Sequence, residues 1–557
     1  MSLPDSASGD QPGTLDDLVR RAVAARPDDE ALVDAPNRTT FFHGEPLRLT
    51  WAEVDRSVDR LVASLAGLGV RRGDAVAIQL PNVAELVLGI LACARMGAIA
   101  VPFPIQHRRH ELRDGFGAAD VVAVLTANRP DRPDHLDDVS DVLTERPGTR
   151  LAVFDESENV PPSAHRFAID HEVADVATTP ASPASEPDDV VTICWTSGTT
   201  GTPKGVPRTN AMWLASSSFQ VERLSITADD RILCPFPVVN MAGIGGMLLP
   251  WAMSGGLLVL HQPLDLPVFL QQLAAERVTY TVAPPPLLNM LLRNEELLAA
   301  TDLSHIRAIS SGSAPLDDWM VAGWQERGIE IVNVFGSNEG AALLSTRAEV
   351  PDPAERARYF PQPDRPGMSV RLIDLDTGDE IREPGRPGEL RFRGPTVFDG
   401  YLDSSGEEFD DEGYYRTGDI FELAGEGDPP RLLRFVDRAK DIIIRGGMNV
   451  SAAELEAMIS RLEGVAECAV VGYPDPDLGE RVGVFAVPAG EATPDLEGIV
   501  AHLREVDIAS YKLPERCEIV DGLPRNAVGK VTKPELRDRW APPPTITAER
   551  HVDGSTS

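Results

Sequence analysis

Residues 75–103 read AVAIQLPNVAELVLGILACARMGAIAVPF. Ala75–Leu80 is a short apolar run with strand character, Val83–Met96 repeats apolar residues at spacings of three and four, and Ala98–Phe103 is a second strand-like run. A strand, a helix and a strand joined by such short links set the strands parallel, with the helix across one face of the sheet. Working outward, Val121–Leu125, Gly256–Leu260, Thr279–Ala283, Ala308–Ser311 and Ile329–Val334 repeat the strand half of the pattern between helical stretches. The fold class is therefore α/β, with a large N-terminal domain of helix-covered parallel sheets.

The texture changes twice. From Gly367 to Gly400, short strands and Gly/Pro turns such as GRPGELRFRG predict a small β-barrel or meander. After Phe435 the pattern is compact α+β: helix over Ala453–Leu462, strands over Ala466–Gly472 and Val482–Pro488, and helix over Asp495–Glu505. This predicts a small C-terminal domain spanning 437–541, after an N-terminal domain spanning 15–436. Residues 126–190, rich in Pro, Asp and Ser around an isolated apolar run, read in part as a long surface connection. The polar segments 1–14 and 542–557 are expected to be disordered.

Composition excludes several function classes. The 557 residues hold 87 Asp and Glu against 52 Lys and Arg, a net charge of −35. Such a chain is a poor partner for nucleic acid or an anionic membrane, which require clustered cations. The five cysteines, Cys93, Cys194, Cys234, Cys468 and Cys517, are scattered without CxxC spacing. They argue against a disulfide framework or a zinc site and for a reducing, cytoplasmic compartment. The N-terminus has neither a basic nor an apolar signal region. Met241–Leu260 is uncharged, but Gly243, Gly245, Gly246, Pro250, Gly255 and Gly256 interrupt it, so it reads as a buried helix–turn–strand and not as a membrane span.

The segment richest in chemistry is Thr196-Ser-Gly-Thr-Thr-Gly-Thr-Pro-Lys-Gly-Val206, directly after the apolar Val190–Trp195. Glycines such as Gly198 let the backbone curl and present N–H groups, the hydroxyls add donors, and Lys204 adds a charge. This is a phosphate cradle. It fails the G-x-x-x-x-G-K-[ST] template, since Pro203 precedes the lysine and Gly205 follows it.

TSGTTGTPKGV resembles the signature of the adenylate-forming superfamily, which includes acyl-CoA synthetases, aryl-acid ligases, peptide-synthetase adenylation domains and luciferases. Arg72-Gly-Asp74, Asn333–Gly340, Tyr415-Arg-Thr-Gly-Asp419, Asp437–Asp441 with Arg445–Asn449, and Pro524–Lys530 follow in that superfamily's order and spacing, covering about residues 15 to 540. The resemblance implies ATP, Mg²⁺ and a thiol, coenzyme A or a carrier-protein phosphopantetheine, as reactants with a small-molecule carboxylic acid. It implies that Lys204 and the hydroxyls of Thr196, Ser197, Thr199 and Thr200 hold the β- and γ-phosphates. Glu339 would coordinate Mg²⁺, and Asp419 and Arg438 would contact the ribose. Gly312, Ser313 and Ala314, with Asn333, Phe335, Gly336, Ser337 and Asn338, would flank the nucleotide. Lys530 would reach the acyl carboxylate and the α-phosphate, offsetting the charge that builds as oxygen attacks phosphorus. Two orientations of a mobile C-terminal domain are implied, hinged at Lys440, with Gly446 and Gly447 lining the thiol's approach.

Asn338 stands where many relatives carry Thr; an amide also donates to a phosphate oxygen, with different geometry. Asn240 and Gly245, with Gly312 and Gly336, would line the acid pocket, although Asn240 reads equally well as a turn-former. The stretches Pro104–Leu112 and Leu503–Arg516 are similar to the aryl-acid and cyclohexanecarboxylate-CoA ligase branch, which implies an aromatic, cyclic or medium-chain acid. Open alternatives are loading onto an acyl or aryl carrier protein, activation of an oxyanion such as nitrite, and an inactive nucleotide-binding homologue. The expected assembly is a monomer or homodimer.

Overall fold

The computed structural model describes residues 13–154, 160–161, 164–167, 185–196, 204–312, 315–427, 430–445, 448–475, 478–490, 494–505, 508, 510–526 and 530–540. The expected disordered segments 1–12 and 542–557 lie outside them. Thr14 is instead a helix N-cap: its hydroxyl accepts from Asp17 N while the Asp17 side chain closes the capping box. The chain forms two compact units, one running to Thr417 and including Phe421–Phe435, the other comprising Gly418–Ile420 and everything from Val436.

In the first unit, strands order as His165–Phe167, Arg150–Phe154, Val121–Thr126, Ala75–Ile78, Ile99–Pro102, Val190–Thr196 and Lys204–Thr209 in a seven-stranded sheet. All its described pairings are parallel except the last, where Val190–Thr196 turns back antiparallel on Lys204–Thr209. An eight-stranded sheet runs Ala342–Ser345, Glu330–Gly336, Ala308–Gly312, Tyr280–Val282, Arg231–Cys234, Leu257–Leu260, Glu30–Val33 and Arg48–Thr50. It is parallel inside and antiparallel at both edges.

The helix Ala84–Met96 explains how the sheets share a core. Every one of its residues is buried, including Glu85, which pairs with Arg38, and Arg95, which pairs with Asp16, Asp55 and Asp59. It packs in one hydrophobic cluster with Val76, Ile78, Ala100 and Ala123 of the seven-stranded sheet and with Leu32, Ile232, Leu258 and Leu260 of the eight-stranded one. The opposite face of the seven-stranded sheet, with Ala75, Ala77, Val101 and Val124, packs in a second cluster with Phe116, Leu136, Val139 and Val142.

That second cluster shows which part of 126–190 is core and not surface connection. His135–Thr144 is a helix whose apolar residues at 136, 139 and 142 recur at helical spacing and bury themselves. The uncharged run from Met241 is a π-helix over Met241–Leu248, a short α-helix over Leu249–Ser254 and a strand over Leu257–Leu260. No helix among the described residues is long and apolar enough to cross a membrane.

The region expected as a barrel or meander is a six-stranded sheet in the order Tyr359–Pro361, Pro430–Arg438, Tyr415–Gly427, Pro387–Arg393, Ser369–Ile373 and Glu380–Ile381. The second unit carries a five-stranded sheet. Val465–Asp475 and Gly479–Pro488 form its long antiparallel hairpin, and Arg516–Ile519 adds in parallel. Helices Ala452–Ile459 and Leu496–Glu505 bury Leu455, Ile459, Ile499 and Leu503 against it. Gly418–Ile420, expected with the N-terminal domain, groups here because Ala439 N donates to Gly418 O at 2.9 Å and Arg438 pairs with Asp419 at 3.3 Å.

Candidate active site

In open parallel sheets, ligands bind beyond the carboxyl ends of the strands. Three strands of the first unit end on residues singled out by sequence: Val190–Thr196, Ala308–Gly312 and Glu330–Gly336. Gly312 pairs with Val334, and a Cβ there would stand 2.0 Å from Val334 O, so no larger residue fits.

The phosphate-cradle candidate is the hairpin whose last described pair is Thr196 opposite Lys204. Its connecting residues, with Ser197, Gly198, Thr199 and Thr200, lie outside the described residues, as do Ser313, Ala314, Gly446 and Gly447. Lys204 is exposed, and among the described residues its ammonium makes no ion pair. Its Nζ instead stands 4.6 Å from the ring centroid of Tyr401, a cation–π arrangement. The same tyrosine donates its hydroxyl to Glu339 Oε1 at 2.8 Å. Burial, together with the neighbouring Glu339 charge, raises the Tyr401 phenol, so it remains a donor. A cation over the ring face and a carboxylate at the hydroxyl thus meet on one tyrosine.

Glu339 is 7% exposed, and among the described residues its Oε2 has no partner. A hard carboxylate oxygen left open suits Mg²⁺, which is commonly held by one or two carboxylates plus substrate phosphates. No group of three or more His, Cys, Asp or Glu that could hold a metal occurs among the described residues.

The turn that presents Glu339 is clamped from below. Arg208, fully buried on strand Lys204–Thr209, donates to Asn338 O at 3.0 Å and Thr396 O at 2.8 Å. It also donates to Met212 O and Ser216 Oγ and stacks 4.5 Å over Trp213. No carboxylate among the described residues bonds it, and burial lowers its pKa to about 10. Gly340 closes the turn at φ +98°, with Thr396 O 1.8 Å and Arg208 Nη1 2.6 Å from where a Cβ would be, so only glycine is accommodated.

Asn338 uses both ends of its amide. Its Nδ2 donates to Trp195 O at 3.1 Å, and its Oδ1 accepts Met241 N at 2.8 Å. Next to it, Ser337 Oγ is buried with no partner among the described residues. Asn240, which sequence left open between pocket residue and turn-former, caps the π-helix through Oδ1, accepting Ala242 N and Gly243 N. Gly245 lies one turn on, where a Cβ would meet Met241 Sδ at 2.7 Å and Trp213 at 2.9 Å. Asn333 commits both hydrogens of its amide nitrogen, donating to Arg356 O and Ala357 O, which leaves its side-chain oxygen and its backbone for a nucleotide. Phe335 packs against Phe421 at 5.0 Å within an aromatic cluster.

The remaining candidates belong to the second unit. Asp419 is buried and paired with Arg438. Lys440 is exposed, and partial desolvation followed by the Arg438 charge lowers its pKa. Its carbonyl accepts Arg537 Nη2, which also bonds Asp441 at 2.6 Å. Lys530 sits at a turn closed by Asn526 N donating to Lys530 O and Lys530 N to Asn526 Oδ1, both 2.9 Å.

Tyr401 and Arg208 were missed by sequence reasoning. Tyr401 follows Gly400 in a loop without a recognisable motif, and an arginine in a strand offers no sign that it is buried without a carboxylate.

Comparison with known proteins fits this geometry. The family model described as AMP-binding enzyme matches residues 19–402, and that of the AMP-binding enzyme C-terminal domain matches 454–530. Indoleacetate–CoA ligase of Aromatoleum aromaticum is 33% identical over 88% of this chain and 92% of its own. Feruloyl-CoA synthase of an Amycolatopsis species is 30% identical over 91% and 96%. The solved o-succinylbenzoate CoA synthetase of Bacillus subtilis, in complex with its acyl-adenylate intermediate, superimposes with a TM-score of 0.76 at 25% identity over 95% and 98%. The chain therefore belongs to the AMP-binding enzyme family, within the adenylate-forming superfamily, and is an AMP-forming acid ligase.

Proposed function

We propose that this enzyme activates an aromatic or aryl-substituted carboxylic acid with ATP and transfers the acyl group to coenzyme A. The observation that carries the reading is the Lys204–Tyr401–Glu339 arrangement at the Thr196/Lys204 end of the hairpin, which offers one cation for phosphate and one open carboxylate oxygen for a metal. The acid class is supported by the indoleacetate and ferulate ligases among its relatives.

In this reading Lys204, Thr196 and the hydroxyls of Ser197, Thr199 and Thr200 hold the β- and γ-phosphates, with Ser337 Oγ as a further donor. Mg²⁺ held by Glu339 neutralises phosphate charge when bound. Tyr401 orients Glu339. The backbones of Gly312, Asn333 and Gly336 and the side chain of Phe335 flank the base, and Asp419 and Arg438 take the ribose. The acid lies near Asn240, Gly245, Gly312 and Gly336. Its carboxylate oxygen attacks the α-phosphorus; an O–P bond forms, the α–β bridge breaks and pyrophosphate leaves. Lys530 meets the charge developing on the α-phosphate. A hinge at Lys440 then exchanges Lys530 for Gly446 and Gly447. The thiol gives up its proton to solvent, its sulfur bonds to the acyl carbon, the acyl–phosphate bond breaks, and AMP departs.

The test is product analysis by mass spectrometry with Mg·ATP, coenzyme A and a panel of indoleacetate, cinnamates, benzoates, cyclohexanecarboxylate and octanoate. The expected outcome is an aryl acyl-CoA with equimolar AMP. Turnover with octanoate alone would overturn the aromatic preference. Acyl-adenylate without thioester would point to a carrier-protein acceptor.

A further inference from the structure

Asn338 is the only described side chain that bonds both the end of the nucleotide hairpin and the start of the π-helix. Its Nδ2 donates to the carbonyl of Trp195, the residue before Thr196, where the described strand ends. Its Oδ1 accepts the N–H of Met241, the first residue of the π-helix. The amide orientation follows from these partners, because a carbonyl needs a donor and an N–H needs an acceptor.

The base of this link is rigid. Arg208 holds Asn338 O and Thr396 O, and Thr396 Oγ1 donates to Gly340 O at 2.8 Å, so the turn 338–340 is fixed independently of the side chain. The far ends are of a different kind. One is the rim of the hairpin; the other is a π-helix of eight residues whose first N–H groups are held only by side-chain amides, Met241 by Asn338 and Ala242 and Gly243 by Asn240. The π-helix is a rare helical form that frequently marks functional sites. A threonine at 338 would have to serve both partners with one hydroxyl, whereas the amide serves them with separate atoms.

We propose that Asn338 is a positioning residue that couples the nucleotide hairpin to the π-helix of the acid pocket, so that nucleotide binding at the hairpin tightens the helix that receives the acid. The proposal rests on the reading of the site as an acid-activating centre. Coupling of this kind needs a physical element biased by both sites, and the Trp195–Asn338–Met241 chain of hydrogen bonds is one.

The test is amide hydrogen exchange on the full chain with Mg²⁺ and α,β-methylene-ATP, which cannot be cleaved at the reacting bridge. In the wild type, the nucleotide should slow exchange both over Val190–Thr196 and over Met241–Leu248. In Asn338→Ala only the first should slow, and the apo exchange of the second should rise about tenfold, as expected for loss of a buried hydrogen bond. Asn338→Asp keeps an acceptor for Met241 N but loses the donor to Trp195 O. It should leave apo exchange of Met241–Leu248 near the wild-type rate while abolishing the nucleotide's effect there. Equal nucleotide protection of Met241–Leu248 in wild type and both variants would overturn the coupling. Wild-type protection confined to Val190–Thr196 would overturn it too, while leaving the acid-ligase reading intact. No nucleotide protection at either segment would overturn that reading and the coupling with it.

Discussion

At the scale of single residues, the site turns on side chains that face one another across long sequence separations. Tyr401 bonds a carboxylate 62 residues earlier. Tyr401→Phe keeps the ring beneath Lys204 and deletes only the hydroxyl that orients Glu339. A hydrogen bond to a charged group contributes about 1.5–3 kcal/mol, so the KM for Mg·ATP should rise about tenfold or more with little change in melting temperature. Steady-state kinetics at saturating acid would check this, and an unchanged KM would mean that Glu339 does not depend on Tyr401. The motif residues themselves were legible because their identities are distinctive: Lys204, Glu339 and Lys530 can be picked out by eye. Orientation was not. Asn338 looked like a phosphate donor, but its partners Trp195 and Met241 lie 143 and 97 residues away, and nothing local to residue 338 reveals them.

At the scale of elements, legibility followed periodicity. The helix Ala84–Met96 and the strands on either side were readable because their residues are apolar almost throughout, Glu85 and Arg95 being the charged exceptions in the helix. Met241–Leu260 was readable as a buried helix–turn–strand, but the π form of its first helix was not, since i→i+5 bonding leaves no distinct mark in a run so rich in glycine. Helix His135–Thr144 was obscured by the Pro- and Asp-rich sequence around it. Its first residue gives a testable consequence. His135 is 1% exposed, its Nε2 lies 3.0 Å from Thr126 Oγ1, and burial followed by the charges of Arg129 and Arg132 lowers its pKa to about 3, against the opposing charge of Asp138. The unfolded chain would protonate this imidazole near its ordinary pKa of about 6.5 while the folded one would not. The associated stability is therefore complete above that pH and is lost as pH falls toward the folded value, by about 1.4 kcal/mol per pH unit inside the window. Melting curves of wild type and His135→Gln should thus converge as pH drops from 7 to 4. A constant difference across that range would show that the imidazole titrates normally in the fold.

At the scale of the whole molecule, alternating strands and helices identified the fold class, and ordered motifs identified the superfamily, because both are properties of the chain's sequence order. What order could not supply was partition. Gly418–Ile420 joins the second unit through Asp419–Arg438 and Gly418–Ala439, contacts that cross the expected boundary at 436/437. The net charge of −35 is compatible with a small anionic substrate only if cations are placed locally, as Lys204 and the buried Arg208 are near Glu339. The central claim is that these residues catalyse adenylation of an acid. The most direct measurement is exchange of labelled pyrophosphate into ATP, without coenzyme A, for the wild type and for Lys530→Ala. Exchange that requires an aromatic acid, and that falls at least about a hundredfold in the variant, is the predicted result. Exchange with no acid present, or equal exchange in the two proteins, would contradict the account.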